Sequence, residues 1–184
     1  MGREPEAGSV RHAGCARTQM TLAFIGLGSN LGSSVQNVRQ AMERLEALSG
    51  GPLLKSSLWQ TTPIDCPPGS PAFINAVVGL LPRPEETPES LLAKLQQLER
   101  DFGRKPKTVI NEARPLDLDL LVFGSEVRSS PELKLPHPRA HERRFVLQPL
   151  AELAPSLVLP GQVKTVTQLL TALAPDSEMR KVWS

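Results

Sequence analysis

Hydrophobic positions along this chain switch between two periods, and the switches mark out its elements. Residues 21–27 form a short apolar run of strand type that leads into Gly26-Leu27-Gly28-Ser29-Asn30-Leu31-Gly32. Val35, Val38, Ala41, Met42, Leu45 and Leu48 then recur at helical spacing, and Gly50-Gly51 ends the helix they predict. Residues 53–59 alternate loosely as a second strand. Residues 61–71, with four prolines and Gly69, form a long irregular loop, and residues 73–81 a third strand. Thr87-Pro88 joins a capping side chain to a proline at the first helical position. Leu91, Leu92, Leu95, Leu98 and Phe102 continue as a core-facing stripe, and Gly103 sits where a helix stop is expected. Residues 116–123 are the fourth strand. Short elements follow, then a basic turn at 136–144 and a last helix opened by the capping box Thr165-x-x-Gln168. The order β-α-β-β-α-β predicts an α+β fold of ferredoxin-like, split βαβ type, an antiparallel sheet with helices packed on it.

Length sets the number of such units. The 184 residues suffice for one domain, expected over residues 20–184. Residues 1–19 have no apolar period and read as a disordered N-terminal extension. With 40% hydrophobic and 22% charged residues, a packed core is expected, and no apolar run is long enough to span a bilayer. Lys and Arg total 21 against 19 Asp and Glu, so the net charge of +2 excludes a whole-molecule field for nonspecific nucleic-acid binding. Phosphate recognition must come from a local cluster. Cys15 and Cys66 lack metal-ligand spacing, which favours a cytoplasmic chain with incidental thiols. A monomer acting on small molecules, without nucleic acid or membrane, is the expectation.

The strongest chemical signal is Leu116-Asp117-Leu118-Asp119-Leu120. Alternate strand residues point to opposite faces, so Asp117 and Asp119 share the face opposite Leu116, Leu118 and Leu120, roughly 7 Å apart. Two such carboxylates beside a buried strand repel unless cations lie between them, and oxygen ligands of this kind suit Mg²⁺. A solvated strand edge is the plain alternative. Around the pair, Arg100, Arg104, Lys105, Lys107 and Arg114 make the preceding connection locally basic. Pro136-His137-Pro138-Arg139-Ala140-His141-Glu142-Arg143-Arg144-Phe145 supplies a second basic group. Guanidinium forks match phosphate oxygens, and carboxylates for metal beside arginine-bearing loops are the parts that phosphoryl transfer requires.

Other signals are weaker. His137 and His141 at i, i+4 have no third zinc ligand nearby, which leaves His137 as a phosphate donor or structural hydrogen-bonding group and His141 as a surface residue. Gly26-x-Gly28-x-x-x-Gly32 misses the dinucleotide fingerprint by one residue. It reads better as a tight turn leaving the first strand, with Asn30 orienting a neighbouring loop and Gly28 allowing close packing. Asn75 can pair with a heteroaromatic edge and Phe73 can stack on a ring. The segment alone favours the plainer reading, with Phe73 in the core and Asn75 a strand-end cap.

Taken in order, Phe24-Ile25-Gly26-Leu27-Gly28-Ser29-Asn30-Leu31-Gly32, Phe73-Ile74-Asn75-Ala76, Arg114-Pro115-Leu116-Asp117-Leu118-Asp119 and Leu135-Pro136-His137-Pro138-Arg139 through Arg143-Arg144-Phe145 resemble the 6-hydroxymethyl-7,8-dihydropterin pyrophosphokinase family of folate biosynthesis. The resemblance runs from about Met20 to the C-terminus. It implies a Mg²⁺-dependent transfer of the β,γ-diphosphate of ATP to the pterin's hydroxymethyl oxygen, leaving AMP. It implies that Asp117 and Asp119 hold two Mg²⁺ ions and, with Arg104, are the catalytic residues. Thr61, Thr62, Pro63, Ile64, Phe73, Asn75 and Phe145 would bind the pterin, sandwiched between Phe73 and Phe145. Gln96, Glu99, Arg104, Arg114, His137, Arg139 and Arg143 would bind ATP. Loops 61–71 and 103–114 would close as lids. The chain departs from the family pattern at Asn111, where many members have Trp, at Pro106, where some have Arg, and at Phe73, where others have Tyr. A ferredoxin-like RNA-binding module and a two-metal phosphohydrolase are the competing readings of the residues.

Overall fold

A computed structural model describes residues 21–63, 69–104 and 112–183. The expected extension at 1–19, Cys66, Ile64, Lys105, Pro106, Lys107 and Asn111 lie outside the described residues. In chain order the elements are β1 (Ala23–Ser29), α1 (Ser34–Glu46), β2 (Leu54–Lys55), β3 (Leu58–Thr61), β4 (Phe73–Leu80), α2 (Pro88–Asp101), β5 (Asp117–Phe123), β6 (Arg128–Ser129), β7 (Lys134–Leu135), a 3-10 turn (Ala140–Glu142), α3 (Arg144–Leu153), α4 (Val166–Ala172) and β8 (Arg180–Trp183). The main sheet runs β5-β1-β4-β3-β8, with β2 also on β4, and its pairings are antiparallel. This is the ferredoxin-like α+β architecture that the element order predicts. No helix among the described residues is long and apolar enough to cross a membrane.

Both faces of the sheet are covered. On one, Ile25, Leu27, Ile74, Leu118 and Leu120 meet Val38, Met42 and Leu45 of α1 and Leu91, Leu95 and Leu98 of α2. On the other, Phe24, Val77, Leu121 and Val122 meet Val146, Leu147 and Leu150 of α3 and Val166 and Leu169 of α4. Burying each of these large side chains contributes about 1.5–3 kcal/mol. The second layer covers part of its face, and the part left bare is the floor of a cleft.

Some predicted boundaries move. Helix α1 stops at Glu46, short of Leu48, and Val35 is 40% exposed, off the core stripe. The second strand breaks into β2 and β3 at Ser56-Ser57. There Val77 N–H donates to Ser56 Oγ at 2.9 Å and Ser57 N–H to Glu152 Oε2 at 2.8 Å, so side chains take the place of ladder carbonyls. The basic turn at 136–144 leads straight into α3, which carries Pro149. A proline there removes one helical hydrogen bond. The helix persists because Val146, Leu147 and Leu150 are buried in the second core.

Candidate active site

The cleft is built by strand register. Gly28 lies opposite Asp117 on β5 and Asn75 on β4, and Gly26 lies opposite Asp119 and Val77. The two glycines therefore separate the acids from Asn75 with nothing standing on the sheet between them. A Cβ on Gly28 would lie 3.4 Å from Asn75 Oδ1 and 3.9 Å from both Asp117 Cβ and Phe73 Cδ1. The chain turns only at the end of the glycine segment, where Gly32 has φ of +71°; Gly26 and Gly28 remain inside β1 and clear its cleft face. A bulge beside Phe24 and Ile25 makes Leu121 an extra residue on β5, so Leu121 and Val122 both enter the second core while the acids keep their alternation.

Asn30 does orient a neighbouring loop. Its Oδ1 accepts from Arg114 N–H at 2.9 Å, and its own N–H donates to Arg114 O at 3.2 Å. Asn37 Nδ2 adds a bond to Pro115 O at 3.0 Å. Arg114 is thereby delivered to β5, with its Nε 3.2 Å from Asp117 Oδ2 and its guanidinium 5.9 Å from the Phe73 ring centre. That Nε is buried and makes no aligned hydrogen bond.

Arg104 arrives by a different device. Gly103 has φ of +86°, and the N–H groups of Gly103 and Arg104 bond Arg100 O and Glu99 O at 2.9 and 3.0 Å. This is the Schellman ending of α2, which glycine's left-handed backbone makes possible. It turns Arg104 back so that Nη1 donates to Asp117 Oδ1 at 2.6 Å and to Glu99 Oε1. Glu99 is buried and also accepts Leu118 N–H at 2.8 Å. Asp117 is therefore gripped by Arg104 through one oxygen and paired with Arg114 through the other.

Among the described residues no arginine grips Asp119 in this way. Burial and the neighbouring charge of Asp117 push its carboxyl above the ordinary range, against the attraction of His137, Arg143 and Arg114. Burial holds His137 below its ordinary value, and Asp119 opposes that shift. His137 Nδ1 accepts from Arg139 N–H at 3.2 Å, which assigns the neutral ring's proton to Nε2. The open volume, about 620 Å³, is lined by Thr61, Thr62, Phe73, Asn75, Arg114, Asp117, Asp119, Arg139, Arg143 and Phe145 together with both glycines. Asn75 Nδ2 donates to Thr61 Oγ1 at 2.8 Å, which fixes its amide plane, and Arg143 stacks 5.5 Å from the Phe145 ring centre.

A family model for 7,8-dihydro-6-hydroxymethylpterin-pyrophosphokinase matches residues 24–155. The chain belongs to this family. A 2-amino-4-hydroxy-6-hydroxymethyldihydropteridine pyrophosphokinase of Haemophilus influenzae is 37% identical over 164 residues, 89% of this chain and 99% of that protein. The folic acid synthesis protein fol1 of Pneumocystis carinii is 38% identical over 138 residues, 74% of this chain but 18% of that longer protein. In fold, the chain is similar to a crystal structure of Plasmodium falciparum HPPK-DHPS with pteroate, at TM-score 0.68 and 12% identity. It covers 88% of this chain and 47% of that one, so this chain spans about half the length of that structure. Membership makes this chain a pyrophosphokinase of folate biosynthesis.

Within the family's expected site, the cleft brings together Thr61, Thr62, Phe73, Asn75 and Phe145 with Arg114, Arg139, Arg143 and both aspartates. Phe73 and Asn75 face this opening rather than serving as core and strand-end cap. Four expected nucleotide contacts, Gln96, Glu99, Arg104 and His137, are not among the residues that line the opening. Gln96 is exposed on α2, Glu99 is buried with its carboxylate committed to Arg104 and Leu118 N–H, and His137 is half-buried without lining the cleft. Pro63 is half-buried and also outside the lining. The sequence reading missed the glycine floor and the far wall, formed by Glu142, Arg144 and the segment from Leu173 to Glu178. Arg144 stood inside a quoted motif without a role; the wall carried no sequence signal.

Glu99 yields a pH prediction. Its carboxyl is pushed up to about 7, chiefly by burial, against the help of Leu118 N–H and Arg104. In the native protein it keeps a proton that the unfolded chain gives up near 4.3. Unfolding therefore releases a proton between those values, and the stability from this group is full below about 4.3 and lost as pH rises to about 7. Glu99→Gln flattens that fall, as denaturant midpoints measured from pH 4 to 8 will show; an unchanged slope contradicts the assignment.

Proposed function

We propose that this cleft catalyses Mg²⁺-dependent transfer of the diphosphate of ATP to the hydroxymethyl oxygen of 6-hydroxymethyl-7,8-dihydropterin. The pterin oxygen bonds to the β-phosphorus as the bond from that phosphorus to the α,β-bridging oxygen breaks. AMP leaves with the bridging oxygen, and the hydroxyl proton is released. The observation that carries the reading is the cross-strand row Asp117, Gly28, Asn75, which supports a metal and phosphate end and a ring-recognition end within one opening.

The donor set fits Mg²⁺. Among the described residues no three or more His, Cys, Asp or Glu form a closed cage. Mg²⁺ ordinarily takes only one or two carboxylates and completes its shell with phosphate and water. Asp117 and Asp119 would hold it, with two ions as the expected number. When bound, it neutralises phosphate charge and orients the reacting oxygens.

The protein's own residues do the rest. Arg104 and Arg114 hold Asp117 through its two oxygens. A triphosphate offers those forks several charged oxygens, so nucleotide binding draws the arginines off Asp117 and frees it as a ligand. Arg139 and Arg143 receive the remaining phosphate charge. Phe73 and Phe145 stack on the pterin, and Asn75, fixed by Thr61, reads its edge. The test is AMP formation from ATP and Mg²⁺. The reading predicts that it requires the reduced hydroxymethylpterin; AMP at the same rate without the pterin contradicts it.

A further inference from the structure

Arg144 is the first residue of α3, and both its neighbours in sequence, Arg143 and Phe145, line the cleft. Its own side chain runs to the end of α4. Nη2 donates to Leu170 O at 3.1 Å and to Leu173 O at 2.8 Å, and Nε donates to Ala174 O at 2.9 Å. Carbonyls at a helix C-terminus lack partners within the helix, and a cation there gains from the helix dipole as well. One guanidinium thus ties the start of α3 to a chain segment nearly thirty residues away.

That segment is a wall of the cleft. Leu173, Ala174, Pro175, Asp176, Ser177 and Glu178 all line it. Beyond them the chain enters β8, which pairs with β3 through Leu58, Trp59 and Gln60, next to Thr61. Between the two anchors, Asp176 Oδ1 accepts from the N–H groups of Glu178 and Met179 at 3.0 and 3.2 Å, holding the wall in a turn. The wall is strung from Arg144 at one end to the sheet at the other, with Phe145 beside its first anchor.

We propose that Arg144 is a positioning residue for the pterin. It fixes the 173–178 wall against the first turn of α3 and so sets the width of the slot between Phe145 and Phe73. The proposal rests on the pterin reading above. Because Leu173 and Phe145 pack against the same core cluster, while Arg104 is held at the end of α2 by Asp117 and Glu99, loss of the anchor weakens pterin binding selectively. Lysine, a single point donor in place of a fork, restores part of the effect.

The experiment measures equilibrium binding of 6-hydroxymethylpterin and, separately, of a non-hydrolysable ATP analogue with Mg²⁺. It uses the full chain, Arg144→Met, Arg144→Lys and Asp176→Ala, with hydrogen exchange at residues 173–178. Expected are an about tenfold loss of pterin affinity in Arg144→Met, a smaller loss in Arg144→Lys, and nucleotide affinity within about twofold of the parent. The wall amides exchange faster in Arg144→Met. Asp176→Ala, which leaves Arg144 untouched, reproduces the selective pterin loss more weakly and decides the matter if Arg144→Met does not fold. Equal loss of both ligands, or loss of neither, overturns the proposal. A parent protein that binds nucleotide but no pterin overturns the substrate reading, and this proposal with it.

Discussion

Asp119→Asn abolishes diphosphate transfer while making the protein more stable. Asparagine keeps the shape of the side chain and removes a charge that burial and Asp117 already disfavour. The folded form of Asp119 holds its proton to a higher pH than the unfolded chain does. Ionisation therefore destabilises the native state above the unfolded value, and the neutral amide escapes that cost. On the proposed role of this carboxylate as a metal ligand, its loss is expected to cost turnover a factor of at least about 10³. Opposite signs for activity and melting temperature separate this outcome from misfolding. Melting curves at pH 8 with single-turnover rates check it; a variant with both values lowered, or with near-parent turnover, contradicts the account.

The second large effect comes from filling the floor. Gly28 needs no left-handed backbone, since its φ lies outside that region, so β-branched residues suit its place in β1. What they would fill is the cleft: a Cβ would already stand in contact with Asn75 Oδ1, at 3.4 Å. The γ-methyls of valine would occupy the space between Asn75 and Phe73 where a flat ring is expected to lie. Gly28→Val should fold as well as the parent and lose about 100-fold or more in pterin affinity, roughly 2.7 kcal/mol. Fluorescence titration with 6-hydroxymethylpterin measures it. Parent-like affinity in the valine variant would show that the ring binds elsewhere.

Legibility followed the range of the interactions. The alternation of Asp117 and Asp119 against Leu116, Leu118 and Leu120 could be read directly, because period-2 patterning is local and these leucines are fully or nearly buried. So could the caps of α2: Thr87 forms a capping box with Ser90, and Gly103 takes the left-handed stop. The function of Asn30 as a loop clamp was also legible, since a side-chain amide following a strand has few other uses. The break at Ser56-Ser57 was not, because its cause is Glu152, 95 residues away from Ser57. Helix α3 hid behind Pro149, whose local penalty is outweighed only by tertiary burial. Gly26 and Gly28 imitated a turn because the sequence alone cannot show that Asp119, Asp117 and Asn75 flank them across the sheet. The wall from Leu173 to Glu178 depends on Arg144 reaching α4, a contact no spacing rule reports.

The central claim is that the Asp117 and Asp119 carboxylates bind divalent cations together with nucleotide. Electron paramagnetic resonance of Mn²⁺, added with a non-hydrolysable ATP analogue to the parent and to an Asp117→Asn, Asp119→Asn double variant, tests it most directly. The account predicts two nucleotide-dependent, mutually coupled Mn²⁺ ions in the parent and none in the double variant. Equal Mn²⁺ binding by the two proteins would contradict it.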